Sequence, residues 1–155
     1  MTVRIRPLRA DHAELAAVCE LRKAAFFAAS ARTIAEDMAG LRRLAADDFE
    51  VALVAEGGGG ILGACLFVRR ELNPHHALSP WLAGLVVRPE GRRQGIGSAL
   101  VRSVESHAAK LGCRKLHLYT GGAELFYARL AWAVADRFVE DGVPMCLMRK
   151  AILSA

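Results

Sequence analysis

One stretch, residues 81–100, constrains the fold more than any other part of the chain; it reads WLAGLVVRPEGRRQGIGSAL. It contains an apolar run at Leu85, Val86 and Val87, which is typical of a strand that is buried on both faces. The segment RPEG then breaks the strand, because proline fixes φ and glycine frees the next bend. Apolar residues recur at helical spacing from Ile96 onward. The pattern therefore predicts a strand that leads through a short turn into a helix.

The turn between this strand and this helix has the composition of an anion-binding site. The first amides of a helix lack intrahelical partners, and the helix dipole favours negative charge at that end. Gly95 and Gly97 have no Cβ, so a diphosphate can approach the backbone closely. Arg92 and Arg93 add positive charge or bidentate contacts. The alternative is an ordinary helix start with two exposed arginines.

Two other phosphate-binding motifs do not fit the spacing of these residues. A Walker loop that began at Gly91 would require glycine at position 96 and lysine at position 97, where the chain has Ile96 and Gly97. A dinucleotide fingerprint that began at Gly95 would require a small residue at position 100, which is Leu100. The stretch is therefore neither of these motifs.

The chain resembles the GNAT N-acetyltransferase superfamily in two places. Arg92, Gly95 and Gly97 follow a strand exit that contains Pro-Glu, which resembles the acyl-CoA-binding signature of that family. Residues 125–132, LFYARLAW, resemble its second signature, a helix that carries a tyrosine and ends in Leu-Gly-Phe or Leu-Gly-Trp. Ala131 stands where the family usually has the glycine, at a position that we expect to be a left-handed helix cap.

The resemblance implies a fold and a cosubstrate. The fold is α+β, a mixed and mostly antiparallel sheet flanked by helices, in which residues 1–155 form a single N-acetyltransferase domain. The central strand and the strand at 115–119 are expected to splay apart so that acetyl-CoA enters the gap, without a metal. The implied CoA-binding residues are the strand end, the turn and the first helical residues: Leu85, Val86, Val87, Arg92, Arg93, Gln94, Gly95, Ile96, Gly97 and Ser98.

The rest of the chain gives elements in the same order as that fold, β-α-α-β-β-β-α-β-α-β-β. Asp11 is the predicted N-cap of the first helix, and the four glycines at 57–60 read as a hairpin turn. The other predicted elements are strands at 2–7, 49–55, 61–70, 115–119, 132–139 and 144–149, and helices at 33–46 and 124–130.

The implied reaction is the transfer of an acetyl group from a thioester to an amine. No G-x-S-x-G motif occurs, which favours direct attack by the amine. A backbone N–H among residues 85–87 is expected to polarise the carbonyl, and Tyr127, by its place in the second signature, is expected to protonate the leaving thiolate, the alternative being a core tyrosine. The general base stays open among four candidates: Glu71, His76, His117 and Glu124.

Composition limits the other possibilities. The N-terminus lacks an apolar signal segment and no apolar run reaches membrane length, so we expect a cytoplasmic protein without a membrane partner. Cys65 and Cys146 lie in apolar runs, which predicts buried reduced thiols. The net charge of +5 is spread along the chain without an aromatic ladder, which disfavours nucleic acid as a partner.

The acceptor is the least determined part of the function. The expected acceptor is a small-molecule amine or a protein amine, bound between residues 71–81 and the first two helices, and a homodimer is compatible with the sequence. Trp81 is either a wall of that pocket or ordinary packing. The absence of a carboxylate from the central strand, together with Ala131, leaves a catalytically inactive CoA-binding regulatory module as the alternative function.

Overall fold

The computed structural model describes residues 2–71 and 77–153. A π-helical turn at Lys23–Phe27 continues the first helix, and a short 3-10 turn at Pro89–Gly91 follows the central strand. The predicted order of strands and helices is confirmed. The elements are β1 Arg4–Pro7, α1 His12–Arg22, α2 Ile34–Ala45, β2 Val51–Gly57, β3 Gly60–Val68, β4 Trp81–Val87, α3 Ile96–Lys110, β5 Lys115–Thr120, α4 Glu124–Arg129, β6 Ala133–Glu140 and β7 Val143–Ala151.

The seven strands form one mixed sheet in the order β1-β2-β3-β4-β5-β7-β6. Every pairing is antiparallel except that of β4 with β5, which is parallel. These two strands pair at a single position, where Trp81 lies opposite His117, near the start of each strand. From Leu82 to Val87, β4 has no described partner on its β5 side. The expected gap between β4 and β5 is therefore present.

Helices cover both faces of the sheet. α1 and α2 pack on one face against a cluster that includes Ala64, Leu66 and Val86. α3 and α4 pack on the other face, where Leu100 and Val104 of α3 are fully buried. Strands at the centre of the sheet have apolar residues on both faces because each face is covered by a helix layer. Among the described residues, no helix is both long enough and apolar enough to cross a bilayer.

The helix starts differ in how their amides are satisfied. Asp11 accepts a hydrogen bond from Glu14 N at 2.9 Å, so the predicted cap of α1 is confirmed. Thr33 and Glu36 form a capping box at the start of α2. α3 starts after Gly95 with no capping side chain and with no acidic residue in its first turn. The N-terminus of α3 is therefore left for another hydrogen-bond acceptor.

The turns follow the predicted chemistry, with two informative positions. The glycine-rich hairpin turns at Gly58 and Gly59, which both have positive φ. Ala131 has φ +71°, so the expected left-handed cap after α4 is confirmed, although alanine occupies it.

Trp81 is fully buried, and its Nε1 donates to the Leu78 carbonyl oxygen at 2.6 Å, which makes it a packing residue.

Candidate active site

A groove of about 660 Å³ opens where β4 ends and α3 begins. The structure brings together nearly all of the predicted CoA-binding residues here, and Gln94 is the exception. The lining residues are Ala25, Leu85, Val86, Val87, Gly91, Arg92, Arg93, Gly95, Ile96, Gly97, Ser98, Phe126 and Arg129. The side chain of Gln94 lies back along the turn, with its Nε2 donating to the Glu90 carbonyl oxygen at 3.1 Å.

The two glycines of the turn serve different purposes. Gly95 has φ +76°, a left-handed conformation that favours glycine, and no atom lies within 4 Å of the position of a Cβ there. A Cβ on Gly97 would lie 3.3 Å from Cζ of Phe126, so this glycine also lets the Phe126 ring pack against the start of α3. Arg93 also has positive φ, at +64°. The turn is thus held in an unusual conformation beside an open groove.

The electrostatics of the groove favour an anion. The first amides of α3 have no capping side chain, and the helix dipole adds partial positive charge at the same end. Arg92 and Arg93 are exposed on the turn, and Arg129 reaches the groove from α4. Three guanidinium groups and a helix N-terminus therefore line one groove, which suits a polyanion such as a diphosphate.

The outer half of β4 connects this groove to the gap in the sheet. Leu85, Val86 and Val87 line the groove, while Val86 and Val87 still pair with β3 on their other side. The register between β3 and β4 shifts near Gly84, so that Gly84 and Leu85 both lie opposite Cys65 in a β-bulge. On the β5 side, the backbone polar groups of this segment have no strand partner among the described residues.

Tyr127 lies in the core beneath the groove. The residue is 94% buried, and its ring contacts the Phe126 and Trp132 rings at centroid distances of 5.0 and 6.1 Å. Burial raises the pKa of the Tyr127 hydroxyl, which keeps the hydroxyl protonated throughout the neutral range. The residue exposed in the groove from this helix turn is its neighbour, Phe126. The structure thus gives Tyr127 a protonated hydroxyl and a packed ring.

His117 lies at the closed end of the gap. It is 97% buried, and its ring centroid is 5.5 Å from that of Trp81. The ring Nδ1 lies 3.1 Å from the Pro80 carbonyl oxygen. Because a carbonyl oxygen only accepts hydrogen bonds, Nδ1 carries the proton in the neutral ring and the lone pair is on Nε2.

The other base candidates are in different surroundings. Glu124 is paired with Arg137 through bonds of 2.9 and 3.0 Å, and these bonds lower the pKa of its carboxyl group, which makes it a poorer base. Glu71 lies beyond the end of β3 and is partly buried. His76 lies outside the described residues. His117 is thus at the closed end of the gap, whereas Glu71 follows β3 in the chain.

The cysteines lack the environment of a reactive thiol. Cys65 and Cys146 are buried and reduced, as expected. Burial raises the pKa of the Cys19 and Cys65 thiols to about 12, so almost no thiolate is present at neutral pH. Within the described part of the chain, no group of three or more His, Cys, Asp or Glu side chains is arranged to hold a metal ion.

Sequence reasoning missed several residues of the groove. Phe126 and Arg129 flank Tyr127 in the second signature, so their place in the helix was a usable signal. Ala25 belongs to the π-helical turn after α1 and has no sequence feature that marks it. Arg22, immediately before that turn, was likewise given no role, although its guanidinium is buried near β4.

Comparisons with known proteins agree with this architecture. An aminoglycoside 6'-N-acetyltransferase complexed with coenzyme A is similar over 100% of this chain and 99% of its own, with TM-score 0.80 and 16% identity. An N-acetyltransferase from Staphylococcus aureus Mu50 matches over 99% and 100%, with TM-score 0.82 and 17% identity. A phosphinothricin acetyltransferase from Sinorhizobium meliloti in complex with AcCoA matches over 98% and 89%, with TM-score 0.81 and 18% identity.

These identities are low, so the structural matches establish the fold and leave the substrate open. A search of curated protein sequences finds no significant match. The sequence profile described as "Acetyltransferase (GNAT) family" matches residues 15–132, which is more than half of the chain and includes both signatures, the groove and the gap. The chain therefore belongs to the acetyltransferase (GNAT) family.

Proposed function

We propose that residues 1–155 form one domain that transfers an acetyl group from acetyl-CoA to an amine by direct attack. The observation that carries the proposal is the groove itself, in which the uncapped start of α3 and the side chains of Arg92, Arg93 and Arg129 meet the unpaired edge of β4. Family membership supports the same reaction class. The acceptor is a small-molecule amine or a protein amine.

The residues present suit acetyl-CoA. The amides at Gly97 and Ser98 and the guanidinium groups of Arg92 and Arg93 would hold the diphosphate. The β5-facing edge of residues 85–87 would bond the extended pantetheine arm, as a strand bonds its neighbour. Acetyl-CoA supplies the thioester that an amine attacks. The open width between β4 and β5 gives the arm a path to the middle of the sheet.

Direct attack is favoured over a covalent acyl-enzyme. Burial keeps the Cys19 and Cys65 thiols protonated, so neither is an activated nucleophile. A backbone N–H between Leu85 and Val87 would donate to the acyl oxygen, where negative charge develops during attack. One such donor, held in a strand that is still paired with β3, requires little reorganisation during the reaction.

We assign the protonation of the leaving thiolate to Tyr127. Its raised pKa means that the hydroxyl holds its proton at neutral pH, and its helix follows β5, which borders the gap. We assign removal of the amine proton to His117 or Glu71. His117 is favoured by its place at the closed end of the gap, opposite Trp81.

Single-turnover acetyl transfer to a responsive amine tests these roles. Tyr127→Phe keeps the ring and removes only the O–H, so we expect an unchanged melting temperature, unchanged acetyl-CoA affinity and a chemical step slowed by about 10²–10⁴-fold. His117→Gln, compared with Glu71→Gln, should change the acidic limb of the pH–rate profile in whichever variant lacks the base.

The outcomes separate the proposal from its alternatives. A folded Tyr127→Phe protein with the wild-type transfer rate would remove Tyr127 from the chemistry and leave water as the proton donor. Wild-type protein that binds CoA but releases no thiol with any of a broad panel of amines would contradict the enzyme function. That result would instead favour a catalytically inactive CoA-binding regulatory module.

A further inference from the structure

A buried cluster of two arginines and one aspartate joins α1 to α2. Arg22, the last residue of α1, is 93% buried and donates from Nε and Nη2 to the Asp37 carboxylate at 2.9 and 3.2 Å. Arg32 donates from Nε and Nη2 to Oδ1 of Asp37 at 3.1 and 3.0 Å. Asp37 is 99% buried. Two guanidinium groups thus share one carboxylate, which leaves a net charge of one positive unit.

One nitrogen of the more buried guanidinium has no partner. Nη1 of Arg22 is buried, and no group among the described residues accepts a hydrogen bond from it. A buried donor without a partner is destabilising, and more so when it is charged. A ligand that accepts a hydrogen bond from this nitrogen would compensate the desolvated charge.

Nη1 is aimed at the bulge of β4. A Cβ on Gly84 would lie only 2.6 Å from Nη1, so the guanidinium occupies the space that any other side chain at position 84 would need. Gly84 also has φ +61°, which favours glycine. The chain therefore has two local reasons for glycine at this position, and one of them is the approach of Arg22 to the strand.

The position of Nη1 relates it to the proposed site of transfer. Gly84 is three residues beyond Trp81, the last point at which β4 pairs with β5, and it directly precedes Leu85 of the groove. Arg22 approaches from the face of the sheet that α1 and α2 cover, opposite α3. Ala25, three residues after Arg22, lines the groove. Nη1 is thus beside the opening gap, on the face opposite the helix whose N-terminus would hold the diphosphate.

A half-exposed aromatic side chain, Phe26, lies beside the Arg22 guanidinium. The Phe26 ring lies over it, with the Arg22 carbon Cζ 5.8 Å from the ring centroid, and Phe26 is 50% exposed. Phe26 belongs to the π-helical turn, a local irregularity that is often found at functional sites.

We propose that Nη1 of Arg22 binds a carboxylate of the acceptor, so that the acceptor is an amine that also carries a carboxylate, as a free amino acid does. The inference rests on the proposed acetyl transfer and names its acceptor class. The positive charge of the cluster selects the anion, and the Asp37 and Arg32 side chains hold the Arg22 guanidinium in place. Arg22 is a specificity residue that contacts the acceptor away from the bonds that change.

Matched acceptors test the inference directly. Each free amino acid of a panel is compared with its primary amide, which has nearly the same shape but lacks the carboxylate charge. We expect the wild-type kcat/KM to favour the acid by about tenfold or more. In Arg22→Met this preference should fall to within about twofold, whereas Arg32→Met, which removes one charge from the same cluster but not Nη1, should retain it.

A binding measurement makes the test independent of turnover. Calorimetric titration of the amino acids into protein saturated with CoA should show binding that Arg22→Met loses, Arg32→Met retains and the amides do not reproduce. Arg22→Lys keeps the positive charge but loses the planar guanidinium that can donate two parallel hydrogen bonds, so it should show an intermediate preference for the acid. It takes the place of Arg22→Met in the test if that variant does not fold.

The results distinguish the two proposals. Acetylation of amines with no preference for the acid, or a preference that survives in folded Arg22→Met, overturns the carboxylate site and leaves the enzyme function standing. Arg22-dependent binding of amino acids to CoA-loaded protein without any acetyl transfer supports the carboxylate site and contradicts the enzyme function.

Discussion

Single residues decide how the ends of the elements are built, and Ala131 shows this most clearly. The second signature predicts a left-handed residue after α4, and the backbone adopts that conformation with φ +71° even though the residue is alanine. An L-residue in this region is strained by about 1–2 kcal/mol. The conformation is imposed by the fold, since Trp132 N must return to bond the Tyr127 carbonyl oxygen at 3.1 Å.

We predict that Ala131→Gly stabilises the protein. Relief of the strain exceeds the extra chain entropy of glycine in the unfolded state, about 0.4–1 kcal/mol, so the free energy of unfolding should rise by about 0.5–1 kcal/mol. Urea denaturation measures it. Ala128→Gly is the matched control: Ala128 is exposed within α4, where glycine should lower stability by about 0.5–1 kcal/mol. Equal losses in both variants would contradict the account of strain.

The sequence predicts residues whose role depends on near neighbours, and misses those whose role depends on distant ones. Gly95, Arg92 and Arg93 could be assigned to an anion groove because strand, turn and helix follow one another directly. Arg22 could not be assigned, because its buried partner, Asp37, is fifteen residues away on another helix. Its unpartnered nitrogen, Nη1, lies against β4, which is still farther along the chain. Nothing in the local sequence distinguishes it from an exposed arginine at the end of a helix.

At the scale of elements, α1 and α2 are joined through the Asp37 carboxylate. Burial raises the pKa of this carboxyl group, but the bonds and charges of Arg22 and Arg32 outweigh burial, so its pKa is lowered overall. A group whose pKa is lower in the folded state stabilises the protein above its unfolded pKa, about 3.9 for aspartate. That stabilisation is lost as the pH falls through the folded pKa.

We predict that Asp37→Asn lowers the free energy of unfolding by about 3–5 kcal/mol at pH 7, because the buried guanidinium of Arg22 and the partly buried one of Arg32 lose their counter-charge. The difference between wild type and variant should shrink as the pH falls below about 4, because the unfolded wild-type chain binds a proton at Asp37 there while the folded carboxylate, whose pKa is lowered, stays charged to lower pH. Chemical denaturation at a series of pH values measures both. A difference that stays constant down to pH 2 would show that the carboxylate charge is not what joins the helices.

The elements themselves were largely predictable. The Asp11 cap, the Thr33 helix start and the glycine turn at 58–59 were predicted from local signals. Each is found within two residues of its predicted position. The π-helical turn at Lys23–Phe27 was not predicted, because apolar spacing does not distinguish it from a continued α-helix. That turn brings Ala25 to the groove, so part of the site was missed with it.

At the scale of the whole molecule, the site depends on one departure from regular sheet structure. Within the part of the chain that the structure describes, the parallel neighbours β4 and β5 pair at Trp81 and His117 alone, and the crossover through α3 places an uncapped helix start beside their open ends. The order of elements could be read from the sequence, whereas the gap was expected only from the family resemblance. Strand separation is a tertiary property, and no residue pattern in either strand encodes it.

The central claim is that this helix start and its arginines bind CoA. Calorimetric titration of CoA into wild-type protein and two charge-matched double variants tests it most directly. Arg92→Ala/Arg93→Ala removes the pair on the turn, and Arg42→Ala/Arg43→Ala removes an exposed pair from α2, outside the groove. The account predicts that wild type and the α2 variant bind alike and that the turn variant binds about tenfold or more weakly, a loss of about 1.4 kcal/mol. Equal CoA affinity in all three folded proteins, or no binding by wild type, would contradict it.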